Sequence, residues 1–479
     1  MTSFATLRNQ VLKVAGSGVG GQAITFLSLP ILSRLYSPEA FGGWALFISA
    51  AIMLGTIATL RYELAVVLPQ RDGTAASLVC AGFVASLLTA LLAALALPLI
   101  ARFMIGPDDA RTIGPLLWLL PIFVLAAAAY QLGLAWCTRR DAFGVYSLGQ
   151  FTLPAATALG QALAALVGFD TAGGLILGSV CGYVAGALLL WSFSAAGDRA
   201  ILLRGLAPAR IGANARRYYK YPVFMTPYTL LSAARDRAIY FLLGGYVGGR
   251  ATGFYAMAQR FTNIPNSLVA GAIRPVFFQF AARRELAGMA PMVAVIMAAL
   301  LALAVPNLIV FLFFAGPILG LLFGQEWTAA APFASLLAVP AVPLLLGNWM
   351  DRVFDISNRQ GLAFRLEAIF SVVTLAALFT GFWATGQAIV AVAMQAAAMF
   401  VYFSVWNVIA FRIAGFDLSY LGRIAMLAAG MAAASAGLLW ILSWGLPPLA
   451  AAAVFYAVYL AVLIPAAFRY GRRISAAFV

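Results

Sequence analysis

The most regular set of polar side chains in the sequence lies inside a long apolar segment near the middle of the chain. Its members recur at spacings of three or four residues, so they share one face of an α-helix. They are Arg260, Asn263, Ser267, Gly271 and Arg274. An arginine in hydrocarbon costs about 3 kcal/mol on insertion scales and so faces a cavity or a partner, and its guanidinium suits bidentate contact with phosphate. We expect this face to line a wet, cationic cavity; the alternative is that each arginine caps a neighbouring helix or pairs with an acid.

Three consecutive charged residues, Arg235, Asp236 and Arg237, interrupt the preceding apolar segment. Adjacent residues on a helix point about 100° apart, so the three cannot face one direction. We expect one arginine to look into a cavity while the other pairs or reaches the membrane surface. Asp236 is a natural partner for an arginine on a nearby helix, and it is equally a candidate substrate or proton site.

The second apolar segment ends in a polar run, TLRYELAVVLP, at residues 59–69. A continuous helix would place Thr56, Thr59 and Glu63 on one face, with Arg61 pointing elsewhere. Glu63 is then the better candidate for a cavity. Arg61 either serves the cavity or reaches the lipid headgroups.

The tenth apolar segment closes with four polar residues at helical spacing. They are Asn348, Asp351, Asp355 and Arg359. Their position near the end of the segment predicts a gate or an ion-pair latch, and solvated charges at a helix end are an equally good interpretation. In the next segment, Arg365 and Glu367 are two residues apart and cannot pair with each other on a helix.

The sequence contains no histidine, which removes the usual metal ligand and the usual proton switch near neutral pH. Any proton coupling must therefore use carboxylates, and ion coupling itself is a hypothesis. The candidates, for coupling or for structural ion pairs, are Asp236, Glu63, Asp351, Asp355 and Glu367. The three cysteines lie inside apolar runs without the spacing of a metal site, so we predict no metal and no cofactor.

The elements that must position these residues are membrane helices. Of the 479 residues, 64% are hydrophobic and 9% are charged, whereas soluble domains have about 25% charged residues. The net charge of +15 comes from basic residues in short loops between apolar runs, which is the topology signal of a membrane protein and not of a nucleic-acid-binding one. We predict an all-α polytopic membrane protein with about fourteen transmembrane helices.

The predicted spans are apolar stretches of about 20 residues or more, separated by short breaks. They cover residues 13–35, 41–68, 75–101, 113–137, 143–167, 172–195, 220–245, 251–280, 287–315, 329–355, 361–384, 387–411, 424–444 and 447–468. Basic residues concentrate in the loops on the side of the N-terminus, so both termini are predicted to be cytoplasmic.

The longest polar break, residues 197–220, follows the sixth span and is rich in arginine. It predicts a division into four parts. These are a six-helix N-terminal lobe at 1–196, a cytoplasmic basic linker at 197–220, a six-helix C-terminal lobe at 221–412 and two additional helices at 413–479.

A weak internal repeat supports this division. The segment YSPEAFGGWAL at 36–46 parallels YVGGRATGFYAM at 246–257, so that Gly42 falls opposite Gly253. A match in the same direction, six spans later, fits a parallel repeat about an axis along the membrane normal. Chance similarity between apolar segments is the alternative.

Two long stretches carry a family resemblance. They are LSRLYSPEAFGGWALF at 32–47 followed by TLRYELAVVLP at 59–69, and DRAIYFLLGGYVGGRATGFYAMAQRFTNIPNSL at 236–268. The chain resembles, over essentially its whole length, the polysaccharide-transporter (Wzx-type O-antigen flippase) family of the multidrug/oligosaccharidyl-lipid/polysaccharide exporter superfamily. The resemblance implies two six-helix lobes across a central cavity, alternating access, and a cargo of undecaprenyl-pyrophosphate-linked oligosaccharide, such as an O-antigen or exopolysaccharide repeat unit. Many members have twelve spans; the two additional helices are similar to those beside the core of peptidoglycan-precursor flippases.

The resemblance maps the family's Asp-Arg pair onto Asp236 and Arg237, and its eighth-span start onto Gly253 and Tyr255. A cationic cavity would hold the anionic pyrophosphate while the polyprenyl tail stays in lipid. The predicted substrate-binding residues are Arg260, Arg274, Arg237, Arg61, Asn263 and Ser267. The implied partners are the glycan lipid and membrane lipid, with polysaccharide polymerase and chain-length proteins as further candidates and no nucleic acid. The implied location is the bacterial inner membrane, without enzymatic activity.

Three rival functions fit a polytopic membrane protein. A drug or cation exporter of the same superfamily should favour acidic cavity residues, whereas arginines outnumber acids within these spans. A membrane-embedded glycan polymerase or ligase usually needs a sizeable outer loop, and the largest outer loops here, near 102–112 and 316–328, are short. A major-facilitator carrier should have a glycine-and-basic signature that PQRDGTA, after the second span, lacks.

Overall fold

The computed structural model describes residues 4–104, 114–193, 196–281, 286–357 and 359–478. Within these ranges the chain is helical and contains no β-strand. The helices are α1 (Phe4–Leu35), α2 (Pro38–Ile57), α3 (Asp72–Leu95), α4 (Leu97–Met104), α5 (Leu119–Arg139), α6 (Phe143–Leu166), α7 (Ala172–Ser192), α8 (Ala196–Gly205), α9 (Pro208–Arg217), α10 (Thr226–Tyr246), α11 (Gly249–Ala281), α12 (Ala290–Phe323), α13 (Ala331–Gly347), α14 (Arg352–Ile356), α15 (Gln360–Thr385), α16 (Ala388–Ile413), α17 (Ser419–Gly445) and α18 (Pro448–Phe478).

The predicted all-α fold is confirmed, and every predicted span overlaps a helix of the structure. Among the described residues, nine helical segments are both long enough and apolar enough to cross a membrane. Polar residues lower the hydropathy of α10 and α11 in particular, which carry the charges discussed below. The number of fourteen transmembrane helices stays a prediction.

The second predicted span, 41–68, is wrong at its end. Helix α2 stops at Ile57, and Leu60 and Arg61 adopt left-handed backbone angles with φ of 49° and 61°. Such angles are costly for residues other than glycine, and they break the helical register. Thr56, Thr59 and Glu63 therefore do not share one face of a continuous helix.

The tenth predicted span, 329–355, is also interrupted. Helix α13 ends at Gly347, and a turn separates it from the short α14. Asn407 of α16 contacts the last turn of α13: its Nδ2 donates to the carbonyl of Pro343 at 2.8 Å, and its side chain fills the space beside Gly347. The expected single face from Asn348 to Arg359 is thus divided between a turn and a separate helix.

The chain forms two compact units. The first comprises residues 1–272 with 361–395, and the second comprises 273–360 with 396–479. In the first unit, α6 packs closely on α7 because Gly178 and Gly182 leave room for Gln161 and Thr157. Small residues permit this close approach between helices within a membrane.

The second unit has an apolar cluster that joins α12 to the last two helices. Val310 and Phe314 of α12 pack against Leu439 of α17 and Phe455 of α18. The hydroxyl of Tyr456 donates to Asn307 Oδ1 at 2.6 Å. The two C-terminal helices are therefore integral to this unit. The four-part division expected from the sequence stays a prediction.

The predicted basic linker, 197–220, is largely helical and belongs to the first unit. Helices α8 and α9 pack on α3, where Gly205 lies against the backbone of Ala76. The hydroxyl of Tyr62 donates to the carbonyl of Ala215 at 3.3 Å. These contacts fix the segment against α3.

Candidate anion-binding cavity

A cavity of about 400 Å³ lies within the first compact unit. Side chains from α1, α2, α6, α7, α10 and α11 form its wall. Its volume is within the range of about 300–1,000 Å³ that is typical of small-molecule sites. It is therefore large enough for a phosphate-bearing headgroup with part of its substituent.

Two arginines on neighbouring helices line this cavity. Arg237 projects from α10 and Arg260 from α11. The Cζ atom of Arg260 lies 4.1 Å from the centroid of a Trp44 ring, and that of Arg237 lies 5.8 Å from the Tyr240 ring centroid. These are cation–π contacts, which attract a cation without neutralising its charge.

The lining side chains given by the structure include no carboxylate. The ion pairs found among the described residues involve Arg61, Arg139, Arg140, Arg235 and Arg250, and neither cavity arginine. The cavity therefore has an excess of positive charge. This electrostatic balance favours an anion over a cation as its ligand.

Neutral polar groups complete the wall. They are Gln22, Thr25, Ser28, Thr157, Gln161, Ser179, Gln259, Asn263 and Ser267, together with the Tyr183 and Tyr240 rings. Tyr240 donates its hydroxyl proton to the side-chain oxygen of Gln259. Amide and hydroxyl side chains both donate and accept hydrogen bonds. They suit a ligand that is rich in hydroxyl or phosphate oxygens.

The N-terminal turns of α2 and α11 cross beside this cavity at very close range. A Cβ atom on Gly42 would overlap the carbonyl of Gly249, and one on Gly253 would overlap the carbonyl of Pro38. The contact is reciprocal, because each glycine meets the carbonyl four residues before its counterpart. The two segments that the sequence aligns as a repeat therefore touch each other, a short distance before the first cavity residues of both helices.

Five of the six cavity helices, α2, α6, α7, α10 and α11, lie in the part of the chain that a known family matches. The family described as "Polysaccharide biosynthesis protein" covers residues 31–332. The chain belongs to this polysaccharide biosynthesis family. The family predicted from the sequence motifs is thus confirmed, and the protein is a helical membrane protein of that family.

One relative is the succinoglycan biosynthesis transport protein ExoT of Rhizobium meliloti (strain 1021). The two chains are 29% identical over 341 residues, which cover 67% of this chain and 64% of that protein. The aligned part thus spans slightly less than two thirds of the relative.

Solved structures agree on the fold. An inward closed lipid II flippase MurJ aligns with a TM-score of 0.72 and 11% identity, covering 97% of this chain and 99% of the other. An inward-facing multidrug resistance MATE family transporter aligns with a TM-score of 0.54 and 16% identity, covering 89% and 96%. At these identities the likeness establishes the fold.

Four of the predicted substrate-binding residues lie in one cavity in this family member. They are Arg237, Arg260, Asn263 and Ser267. The side chain of Arg274, which was grouped with them, lies outside the described residues, as does that of Asp355. The binding roles of all these residues stay predictions.

Arg61 lies in another environment. Its Nη1 is 3.1 Å from Glu63 Oε1, and Thr59 donates a hydrogen bond to the same carboxylate. The described lining of the cavity does not include Arg61 or Glu63. The left-handed turn after α2 brings Arg61 onto Glu63, a contact between residues two apart that a continuous helix would not make.

The three consecutive charged residues on α10 point in different directions, as helical geometry requires. Arg237 faces the cavity, whereas Arg235 is buried and pairs with Glu367 of α15 at 2.5 Å. Arg235 Nε also lies 2.9 Å from Asp236 Oδ1, on a half-exposed side chain. The arginine partner of Asp236 is thus its neighbour in sequence, and Glu367 makes the bond between helices. Asp351 lies elsewhere, in the turn after α13.

The sequence interpretation missed most of the neutral cavity residues. Gln22 and Gln161 are isolated amides in apolar segments, so the rule that singled out Asn263 could have found them. Trp44, Tyr183 and Tyr240 carried no such signal, because aromatic residues in apolar runs are equally common in packed cores and at the lipid surface.

Proposed function

We propose that the protein is a flippase that moves a lipid-linked oligosaccharide across the bacterial inner membrane by alternating access. The observation that supports this proposal best is the cavity with two arginines and no carboxylate among its described lining residues. A cation or a neutral drug gains nothing from such a charge excess. A pyrophosphate gains charge-assisted hydrogen bonds from both guanidinium groups.

The rest of the cavity wall suits the sugar that follows the pyrophosphate. Amides such as Gln161, Gln259 and Asn263 can bond sugar hydroxyl groups, and Tyr183 offers an aromatic ring. The cavity volume of about 400 Å³ accommodates the polar end of the cargo, and the polyprenyl tail remains in lipid. Undecaprenyl-pyrophosphate-linked glycan is therefore the proposed cargo.

Alternating access requires that the cavity opens to one side at a time. The glycine crossing of α2 and α11 is a suitable closure on one side, because the two glycines let the backbones of these helices meet at close range. One exposed ion pair accompanies it, between Arg250 Nε and Glu39 Oε1 at 3.3 Å. Exposed pairs contribute little stability, so breaking this pair adds little to the cost of separating the crossing.

Relatives support the same class of cargo. ExoT is a succinoglycan biosynthesis transport protein, and MurJ is a lipid II flippase. The MATE neighbours are multidrug transporters, which keeps export of drugs or cations as the rival function. The carboxylate-free lining argues against that rival.

Reconstitution in liposomes tests the proposal. Purified protein should increase the rate at which a fluorescent pyrophosphate-linked oligosaccharide lipid crosses the bilayer, and the double variant Arg237→Gln/Arg260→Gln should abolish that increase. Arg204→Gln is the matched control, because Arg204 is exposed on α8 and outside the cavity. If the liposomes export cationic dyes and leave the glycan lipid in place, the rival function is correct.

A further inference from the structure

Trp44 donates a hydrogen bond into a small network that two other helices form in the cavity wall. Its indole Nε1 donates to Ser179 Oγ of α7 at 2.9 Å, and Ser179 Oγ donates to the carbonyl of Leu175 at 2.8 Å. Gln161 Nε2 of α6 lies 3.3 Å from the same hydroxyl oxygen and 3.0 Å from the Leu175 carbonyl. Trp44, Gln161 and Ser179 are all at most 5% exposed. A buried, fully bonded network of this kind fixes the orientation of its members.

Aromatic packing restrains the same indole from the side. The Phe41 ring stands edge-on to Trp44 at a centroid distance of 6.2 Å, and Tyr36 stands edge-on to Phe41 at 6.4 Å. The Tyr36 hydroxyl then donates to the backbone carbonyl of Gln161 at 2.7 Å, which closes the ring of contacts. The indole ring of Trp44 is therefore held in a fixed orientation, although it borders a cavity.

Arg260 lies on that indole ring. Its Cζ is 4.1 Å from the centroid of a Trp44 ring, which is the shortest cation–π distance given for any arginine among the described residues. No described carboxylate forms an ion pair with Arg260. The aromatic contact thus localises a long, flexible side chain while its charge stays available to a ligand.

We propose that Trp44 is a positioning residue for anion recognition. The Ser179 and Gln161 side chains hold its indole in place, and the indole pre-organises Arg260 to bind a phosphate group. The inference rests on the proposed function, because it assigns the phosphate to Arg260. A pre-organised guanidinium loses less side-chain entropy on binding, which increases affinity without a new contact to the ligand. Ser179, which accepts the hydrogen bond of the indole Nε1, should then influence anion affinity through the indole.

Pyrophosphate titration of the whole protein in nanodiscs tests this inference, with inorganic pyrophosphate as the probe and 5-fluorotryptophan as the label. The ¹⁹F resonance that disappears in Trp44→Phe should shift as pyrophosphate is added, and this shift should be absent in Arg260→Gln. Trp383→Phe is the matched control, since Trp383 is exposed on α15. Its resonance should not respond to pyrophosphate.

Affinities from the same titrations separate positioning from general loss of structure. Ser179→Ala should weaken pyrophosphate binding about fivefold, the fold-change that one neutral hydrogen bond supports, and Trp44→Phe should weaken it about tenfold. Ser192→Ala, on the same helix but exposed, should have no effect. In an Arg260→Gln background, Ser179→Ala and Trp44→Phe should cause no further loss.

Two results would overturn the positioning role alone: Arg260→Gln weakens binding while Trp44→Phe and Ser179→Ala do not, or Trp44→Phe weakens binding equally without Arg260. In either case the anion site at Arg260 survives. If Arg260→Gln itself leaves pyrophosphate affinity unchanged, the proposed function fails together with the inference.

Discussion

Two pairs of arginines in the first compact unit have opposite surroundings. Arg139 and Arg140, at the end of α5, are surrounded by acids: Arg139 Nη2 lies 2.7 Å from Asp72, and Arg140 bonds both Asp72 at 3.0 Å and Asp198 at 2.9 Å. Arg139 also donates to the carbonyl of Pro69 at 2.5 Å. This pair connects α3, α5 and α8 and has its charge largely neutralised.

Arg237 and Arg260 have aromatic rings where the first pair has carboxylates. The two pairs therefore differ in electrostatic environment. The neutralised pair lies at the end of an apolar helix, and the cavity pair lies within two helices. A neutralised charge stabilises the fold, whereas a charge that the fold leaves uncompensated is available to a ligand. The comparison can be tested by removing charge from each pair.

The largest effect is expected from the cavity pair. Arg260→Gln should lower the rate of glycan-lipid transport about a hundredfold, because it removes a charge-assisted contact worth about 3 kcal/mol. Arg139→Gln should change transport less than about twofold per folded molecule. Initial rates in liposomes, normalised to folded protein, measure both. Equal losses in the two variants would remove the distinction between the pairs.

A smaller loss of transport is expected from a substitution that moves the helices carrying the cavity residues. Gly253→Ala places a methyl group on the Pro38 carbonyl and should prevent the close crossing of α2 and α11. We expect about a tenfold loss of transport, since overpacking costs about 1–3 kcal/mol. Gly212→Ala is the control, because nothing lies within 4 Å of its Cβ position. Unchanged transport in Gly253→Ala would show that the crossing need not close.

A third test concerns a buried arginine that is fully paired. Glu367→Gln leaves Arg235 without its partner on α15 and should destabilise the protein by about 3 kcal/mol. Asp236→Asn should cost less than about 1 kcal/mol, because the Asp236 side chain is 46% exposed and exposed pairs contribute little. Denaturant unfolding in detergent measures both. Equal stability of the two variants would mean that Glu367 is not a structural partner.

A smaller loss of stability than that of Glu367→Gln is expected for the neutralised pair. Arg139→Gln should destabilise the protein by about 2 kcal/mol, since it removes charged hydrogen bonds from a side chain that is 9% exposed. Arg140→Gln should cost less, because Arg140 is 38% exposed. The shift in unfolding midpoint gives the order. The reverse order would contradict the assignment of Arg139 as the main link between α3 and α5.

The sequence predicted most of the fold because the backbone of a long apolar run in lipid must satisfy its own hydrogen bonds, and a helix does so whatever the individual apolar residues are. It also predicted the polar face of α11, because Arg260, Asn263 and Ser267 recur at helical spacing. It failed at the end of α2, where residues such as Leu64, Ala65 and Val66 are as apolar as a helix interior. Only the backbone angles at Leu60 and Arg61 reveal the turn there.

Contacts between distant parts of the chain were beyond the sequence. Arg235 and Glu367 are 132 residues apart, and neither pattern nor spacing joins them. The role of Trp44 depends on Ser179 and Gln161, which come from two other helices. Spacing identifies which residues share a face of one helix, but it does not identify which faces meet.

Arg237 and Arg260 are proposed to bind the pyrophosphate of a lipid-linked glycan. The most direct measurement compares, for the purified protein, the affinity of a pyrophosphate-linked glycan lipid with that of the same glycan on an uncharged lipid. The wild-type protein should prefer the pyrophosphate lipid at least about tenfold, and Arg237→Gln/Arg260→Gln should lose that preference. Equal affinity of the wild-type protein for the two lipids would contradict the claim.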